Sequence, residues 1–389
     1  MDVQKLRDEI PVLQNLTYMN TGWSGPPPRQ AAEAMQARVV LEAEQGPTTP
    51  GVYESGREIQ EEARRAAARL LGADVDETLV TRNTTEGLNI VLSGLDWHEG
   101  DEIVTCNLEH GSVLAPSWHI AHRYGAKVRV LDIDPHDSHD AIVGKFEAAM
   151  SERTRLIFVS HIEYSTGLRM PAADLCRVAH ANGSQIMLDG AQTGGHVALD
   201  VHRDGFDYYS IPGQKWALGY EGVGALYIRR ELIEQVHPAH TGGRGVTQVG
   251  EPGEPESYRI NPSIMEKFLG GSGSVPLQAA FVEAAKFIES VGVPEIEARN
   301  VSLAARFKAQ LAEISAVNIL SPMNDAQSAG LVSFAVAGQS ADDVVARIWQ
   351  DHRIVVRQVH YPESIRASLH FFNTEEEVDT LAQAVAELA

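Results

Sequence analysis

Cysteine is nearly absent from this chain: two residues, Cys106 and Cys176, in 389. One falls in a predicted strand and the other in a predicted helix. Both therefore read as packing residues rather than as a disulfide or a metal pair. Long apolar runs are also missing. No stretch approaches the ~20 residues that a membrane helix needs, and the opening Met1 to Leu6 is polar, unlike a secretory leader. Positive charge is scarce, with 32 Lys and Arg against 53 Asp and Glu and a formal net charge of −21. That balance argues against nucleic acid or an anionic membrane as partner. The expectation is a soluble protein in a reducing, cytoplasmic setting.

What is present is ordinary globular material, 43% hydrophobic and 22% charged. The length exceeds one ordinary core and implies a large domain plus a smaller one. Residues 1–25 look irregular. The triple proline at 26–28 opens a helix that runs to about Gln45, and a second helix covers about 56–71. Strand candidates follow at 78–82, 102–106, 127–131, 154–162, 185–190, 206–211 and 223–229. Helical stretches at 85–93, 112–124, 139–150 and 171–182 separate the earlier ones. Short apolar strands alternating with helices predict an α/β fold, a mostly parallel seven-stranded sheet flanked by helices. The last two candidates have no helix between them, so part of the sheet is expected to be antiparallel. Residues 240–276 lack periodicity and read as a connection. From 277 onward come helices at 277–291 and 295–313, a strand at 330–336, a helix at 341–351, strands at 354–357 and 366–372, and a helix at 374–388. That order predicts a smaller α+β C-terminal domain. The expected divisions are 1–25, 26–260 and 261–389.

One pairing carries more chemistry than any other. Lys215, in Gly213-Gln214-Lys215-Trp216, follows Asp189, in Leu188-Asp189-Gly190-Ala191-Gln192, by 26 positions. A lysine amine and a buried carboxylate at strand ends are what pyridoxal 5'-phosphate requires. The amine forms a Schiff base, and the carboxylate keeps the pyridine nitrogen protonated. Other polar residues cluster at strand ends too, where open α/β sheets place ligands. Asn83-Thr84-Thr85-Glu86-Gly87 enters a helix, a suitable phosphate cradle, though the same residues also suit ordinary capping. Glu109-His110 follows strand 102–106, and Glu163-Tyr164-Ser165-Thr166-Gly167 follows strand 154–162. Asp134, His136, Asp137, His139 and Asp140 resemble metal ligands by type only. Their loop-like spacing reads as a solvated connection, and no metal site is expected.

These motifs, with Tyr18-Met19-Asn20-Thr21-Gly22 and Ile365-Arg366-Ala367-Ser368, resemble the class V aminotransferase group of fold-type I pyridoxal phosphate enzymes. That group includes cysteine desulfurases, isopenicillin-N epimerases and C–S lyases. The runs from Gly94 to Glu102 and from Ala329 to Phe334 look most like the cyst(e)ine C–S lyases. The resemblance implies that Lys215 carries the cofactor, Asp189 pairs with its ring nitrogen, Gln192 bonds its ring hydroxyl and His110 stacks over the ring. It assigns the phosphate to Thr84, Thr85, Ser210 and Gln214, with Ser272 reaching the phosphate of a partner subunit in a homodimer. Arg366 would clamp the substrate carboxylate with Arg357 near it, and Gly22, Trp23, Tyr164 and the 240–260 loop would line the substrate pocket. Three positions depart from the group: Gln214 stands where many members have His, Tyr164 stands where desulfurases have Asn, and no cysteine lies beyond Cys176. Desulfurases keep a persulfide-forming cysteine in the C-terminal third. The implied reaction is therefore β-elimination of a cysteine-derived amino acid, with epimerisation or transamination as alternatives.

Overall fold

The computed structural model describes residues 1–389. The chain opens with α1 (Val3–Asp8) and β1 (Thr17–Tyr18), so 1–25 is less irregular than its sequence suggests. Next come α2 (Arg29–Gln45), α3 (Val52–Leu71), β2 (Thr78–Thr81), α4 (Thr84–Gly94), β3 (Glu102–Cys106), α5 (Gly111–Tyr124) and β4 (Lys127–Leu131). Then follow α6 (His139–Ala149), β5 (Thr154–Ser160), α7 (Ala172–Ala181), β6 (Gln185–Asp189), β7 (Tyr208–Pro212) and β8 (Gly224–Ile228). The seven strands form one sheet in the order β2-β8-β7-β6-β5-β3-β4. Only β8 runs against its neighbours, as the missing helix before it implies.

Strands β3, β7 and β8 are buried along their whole length, which a sheet covered by helices on both faces requires. Alternate residues feed opposite cores. Val104, Ile157 and Val159 pack with α3, α6 and α7, whereas Ile103, Leu156 and Phe158 pack with α4 and α5. Edge strand β4 is exposed and carries Lys127 and Arg129, charges that discourage pairing with another sheet.

The segment expected to be a bare connection contains the antiparallel pair β9 (Val246–Gln248) and β10 (Tyr258–Ile260). These strands of three residues are too short for periodicity to reveal. The remaining elements are α8 (Val275–Val291), α9 (Val293–Ala312), β11 (Val317–Ile319), β12 (Leu331–Val336), α10 (Ala341–His352), β13 (Ile354–Val355), β14 (Arg357–His360), β15 (Glu363–Ser368) and α11 (Glu375–Leu388). Strands β11-β12-β15-β14 make an antiparallel sheet.

Two expectations fail here. The strand placed at 366–372 is β15, which ends at Ser368. The apolar run Leu369, Phe371 and Phe372 is buried but not a strand: Asn373 Oδ1 takes the His370 N–H and turns the chain. The boundary at 260/261 also misplaces α8. Its Phe281, Ala285 and Ile288 belong to the large core, and the small-domain core begins at Leu303. That second core also takes in Met19. β1 pairs with β13 and Asn20 bridges Ser368, so the N-terminal segment runs along the small domain.

Candidate active site

The N-terminus of α4 follows β2 directly. Asn83 caps it, its side chain accepting the Glu86 N–H at 2.9 Å. Thr84 is buried with its hydroxyl oxygen unpartnered, and the side-chain oxygen of Gln214 is also without a partner. Free helix N–H groups and unspent polar atoms suit a phosphate. Thr85 Oγ1 lies 2.9 Å from Ser112 Oγ, and the Ser112 N–H donates to His110 Nδ1 at 3.1 Å. A chain of contacts thus joins the first turn of α4 to His110. Because Nδ1 is an acceptor there, the ring proton belongs on Nε2.

Ser210 does not take the place expected for it. Its hydroxyl is wholly buried and lies 3.1 Å from Thr84 O and 3.0 Å from Ala225 O. Its single proton is spent on a carbonyl, leaving nothing to donate to a phosphate. It packs under α4 so closely that a Cβ at Gly87 would stand 2.3 Å from Ser210 Oγ. Glycine at 87 is therefore a packing requirement.

Lys215 follows β7, and Asp189 ends the adjacent parallel strand β6. Burial holds the Lys215 ammonium down to about 8, with Arg366 and Arg357 pushing the same way and Asp189 opposing. Burial raises the Asp189 carboxyl against the pull of Lys215 and of the Ala191 N–H, which donates to Oδ1 at 2.8 Å. His110 is held down to about 4, first by burial and then by Lys215, Arg357 and Arg366. The imidazole is neutral near neutral pH. Gln192 is clamped from two sides, its Oε1 accepting the Trp216 indole N–H at 2.8 Å and its amide donating to Gly22 O at 3.0 Å. One amide hydrogen remains for a ligand.

The other end of the site comes from the small domain. Arg366 is 1% exposed, and its Nη1 donates to Tyr164 O at 2.7 Å. Its Nε and Nη2 have no partner, nor do the nearby buried oxygens of Ser368, Asn20 and Thr21. Leaving buried charged donors unpaired costs more than about 1–3 kcal/mol each, a cost that a carboxylate would relieve. Gly22 packs against this group: a Cβ there would lie 2.7 Å from Ser368 Oγ and 3.1 Å from Arg366 Nη2. Arg357 is the register partner of Arg366, and its guanidinium lies 4.3 Å from the ring centroid of Trp23. Tyr164 meets the His110 ring edge-on at 4.9 Å.

Lys215, Asp189, His110, Gln192, Arg366, Arg357, Tyr164 and Gly22 are thus brought together. Trp23 is 55% exposed at the rim. Ser272 is exposed and lines a cleft of about 1180 Å³ with Asn83, Thr85 and Arg244; Lys215 and Asp189 lie outside that cleft. Tyr258 and Arg259 of the 240–260 loop are exposed on β10. Sequence reasoning gave no role to Ser368, Asn20 and Thr21, nor to His196, which stacks on Trp216 at 3.5 Å and donates from Nδ1 to Gln192 O. Only the clustering of Asn20-Thr21-Gly22 hinted at the first group.

Residues 29–381 match the family model for class-V aminotransferases. A probable cysteine desulfurase from Methanothermobacter thermautotrophicus is 28% identical, covering 100% of this chain and 98% of its own length. The isopenicillin N epimerase of Streptomyces clavuligerus is 29% identical over 99% and 98%. Among solved structures, the cystine C–S lyase C-DES in complex with its product cysteine persulfide superposes with a TM-score of 0.88 at 30% identity, covering 97% of this chain and 99% of that one. A C-DES mutant with glycine covalently linked to the PLP cofactor gives 0.89 at 29%, covering 98% and 99%. With residues 29–381 matched by one family model, the chain belongs to the class-V aminotransferase family.

Proposed function

We propose that this protein is a pyridoxal-phosphate-dependent carbon–sulfur lyase that β-eliminates a cysteine-derived amino acid, giving pyruvate, ammonia and a thiol or persulfide. The observation that carries the reading is the pairing of Lys215 and Asp189 at adjacent strand ends, facing an arginine whose Nε and Nη2 are unpaired. Bound at this site, the cofactor supplies an electrophilic aldehyde and a sink for charge developing at the substrate Cα.

The residues divide the remaining work. Thr84, Thr85, Gln214 and the first turn of α4 hold the phosphate. Asp189 holds the proton on the ring nitrogen, and Gln192 offers its remaining N–H to the ring hydroxyl. Arg366 binds the substrate carboxylate, with Arg357 adding positive charge beside it. The Lys215 amine, eased toward neutrality by burial, takes the Cα proton. Neutral His110 packs on the cofactor ring. Departure of sulfur from Cβ then needs no protein nucleophile, and none is offered. Burial raises the Cys106 thiol well up and pushes that of Cys176 to about 12, so neither supplies a reactive thiolate. This separates the proposal from desulfurase chemistry. In the same reading the active form is a homodimer in which Ser272 reaches the partner's phosphate, and the setting is cytoplasmic.

The test is incubation with L-cystine or a cysteine conjugate and an assay for pyruvate. One observation favours a second reading, epimerisation. The edge-on His110–Tyr164 pair sets two further proton-handling groups at the site, and an epimerase is among the relatives. Exchange of the Cα hydrogen for solvent deuterium with loss of chirality, and no pyruvate, would select it.

A further inference from the structure

Three acidic groups lie buried where β3, β5 and β6 end, and only Asp189 has been used. Glu109 is 5% and Glu163 0% exposed. Glu109 is well supplied with donors: Ser160 N–H gives to Oε1 at 2.7 Å and Ser160 Oγ–H to Oε2 at 2.6 Å. Glu163 has one weak donor, the Cys106 thiol at 3.4 Å from Oε1, and its Oε2 has no partner. The thiol also stands 3.7 Å from Glu109 Oε1, and the ligand atoms of Cys106, Glu109 and Glu163 all lie within 4.8 Å of one another. Two ionised carboxylates this close in a dry interior repel strongly. The donor count decides which one is neutral: the charge belongs on Glu109 and the proton on Glu163.

We propose that Glu109 and Glu163 share one proton and act together as a positioning pair for the substrate-binding end of the site. Glu109 precedes His110, and Glu163 precedes Tyr164, whose carbonyl seats Arg366. The turn after Glu163 is fixed by Glu163 N–H to Leu168 O and Gly167 N–H to Glu163 O, both 2.9 Å, and Ser165 Oγ reaches back to Leu108 O beside Glu109. Adding a second charge to the pair would drive these strand ends apart. Arg366 would lose its seat. The titratable groups facing the pair are Cys106 from β3, Asp189 from β6 and, beyond Asp189, Lys215. Burial raises both carboxyls; repulsion from Asp189 adds to it at Glu109, and repulsion from Glu109 and Asp189 adds to it at Glu163, which is raised further.

The sign follows. A carboxyl that binds its proton more tightly when folded contributes stability that is lost as pH rises through its folded pKa. The pair's share of the melting temperature should therefore fall as pH rises from about 5. Glu163→Gln, which keeps the shape but stays neutral, should flatten that fall. A protonated-carboxyl infrared band, present near neutral pH in wild type, should be missing in Glu163→Gln and shifted in Cys106→Ser, whose hydroxyl is the stronger donor. An unshifted band in Cys106→Ser, a full wild-type band in Glu163→Gln, or parallel melting profiles would overturn the pair. If Glu163→Gln does not fold, the Cys106→Ser band decides. A functional arm rests on the proposed lyase activity: the KM for L-cystine should rise at alkaline pH more than kcat falls, and Glu163→Gln should remove that rise. The infrared and melting arms, run with and without pyridoxal phosphate, need no turnover. A failed lyase reading therefore leaves them intact.

Discussion

The two ends of the site are built by opposite means. The proposed phosphate end relies on uncharged donors: the first turn of α4 presents backbone N–H groups with Thr84 and Thr85, and Gln214 joins them from beyond β7. The carboxylate end is assembled from afar and charged. Arg366 and Arg357 come from β15 and β14, Gly22 from the N-terminal segment and the Tyr164 carbonyl from the end of β5. A phosphate that stays bound can be held by many modest donors. On the same reading, the substrate is met by one buried cation whose Nε and Nη2 no protein group takes. The contrast is between many uncharged donors at one end and buried positive charge at the other.

The sharpest way to break the comparison is at the point where both ends meet. Lys215→Ala should abolish the visible absorbance of the protein-linked cofactor, measured free of amino acids, and lower the elimination rate by at least about 10²–10⁴-fold, the range for a lost general base; absorbance spectra and pyruvate release check it. Next comes Arg366→Ala, which should raise the substrate KM about 10- to 150-fold, the worth of a charge-assisted hydrogen bond, while leaving the cofactor spectrum in place. Equal loss of cofactor would mean that the ends are not separable. At the phosphate end, Gly87→Ala forces a Cβ to within 2.3 Å of Ser210 Oγ. It should cost about 1–3 kcal/mol by overpacking, read by thermal melting, and weaken cofactor retention. Smallest of all, Ser210→Ala should cost about 1 kcal/mol of stability through a lost carbonyl contact. Its titration with pyridoxal phosphate should match wild type. A weakened titration would restore Ser210 to the cradle.

Much of the proposed phosphate end can be read along the sequence because Asn83, Thr84 and Thr85 lie in one contiguous run, although Gln214 does not. A strand, a capping residue and a helix lie within Thr78–Gly94, and Lys215 and Asp189 each follow an apolar strand. Ser210 misled for the same reason. Its type and place at a strand end suit a phosphate, but period-2 alternation does not say that α4 sits directly on it. The carboxylate end was harder. Arg366 is read from a motif, whereas the unpartnered hydroxyl of Ser368 and the seat provided by Tyr164 O exist only once β1, β5 and β15 converge. The Glu109–Glu163 pair was visible as two residue names and not as a pair, because 54 positions separate them.

The central claim is that Lys215 is the attachment point of the cofactor. Reduction of the purified protein with borohydride after supply of pyridoxal phosphate, followed by peptide mass spectrometry, tests it directly. One phosphopyridoxyl group per chain is expected, on the peptide containing Gly213-Gln214-Lys215-Trp216. A label on another lysine, or none under conditions that load a known pyridoxal phosphate enzyme, would contradict it.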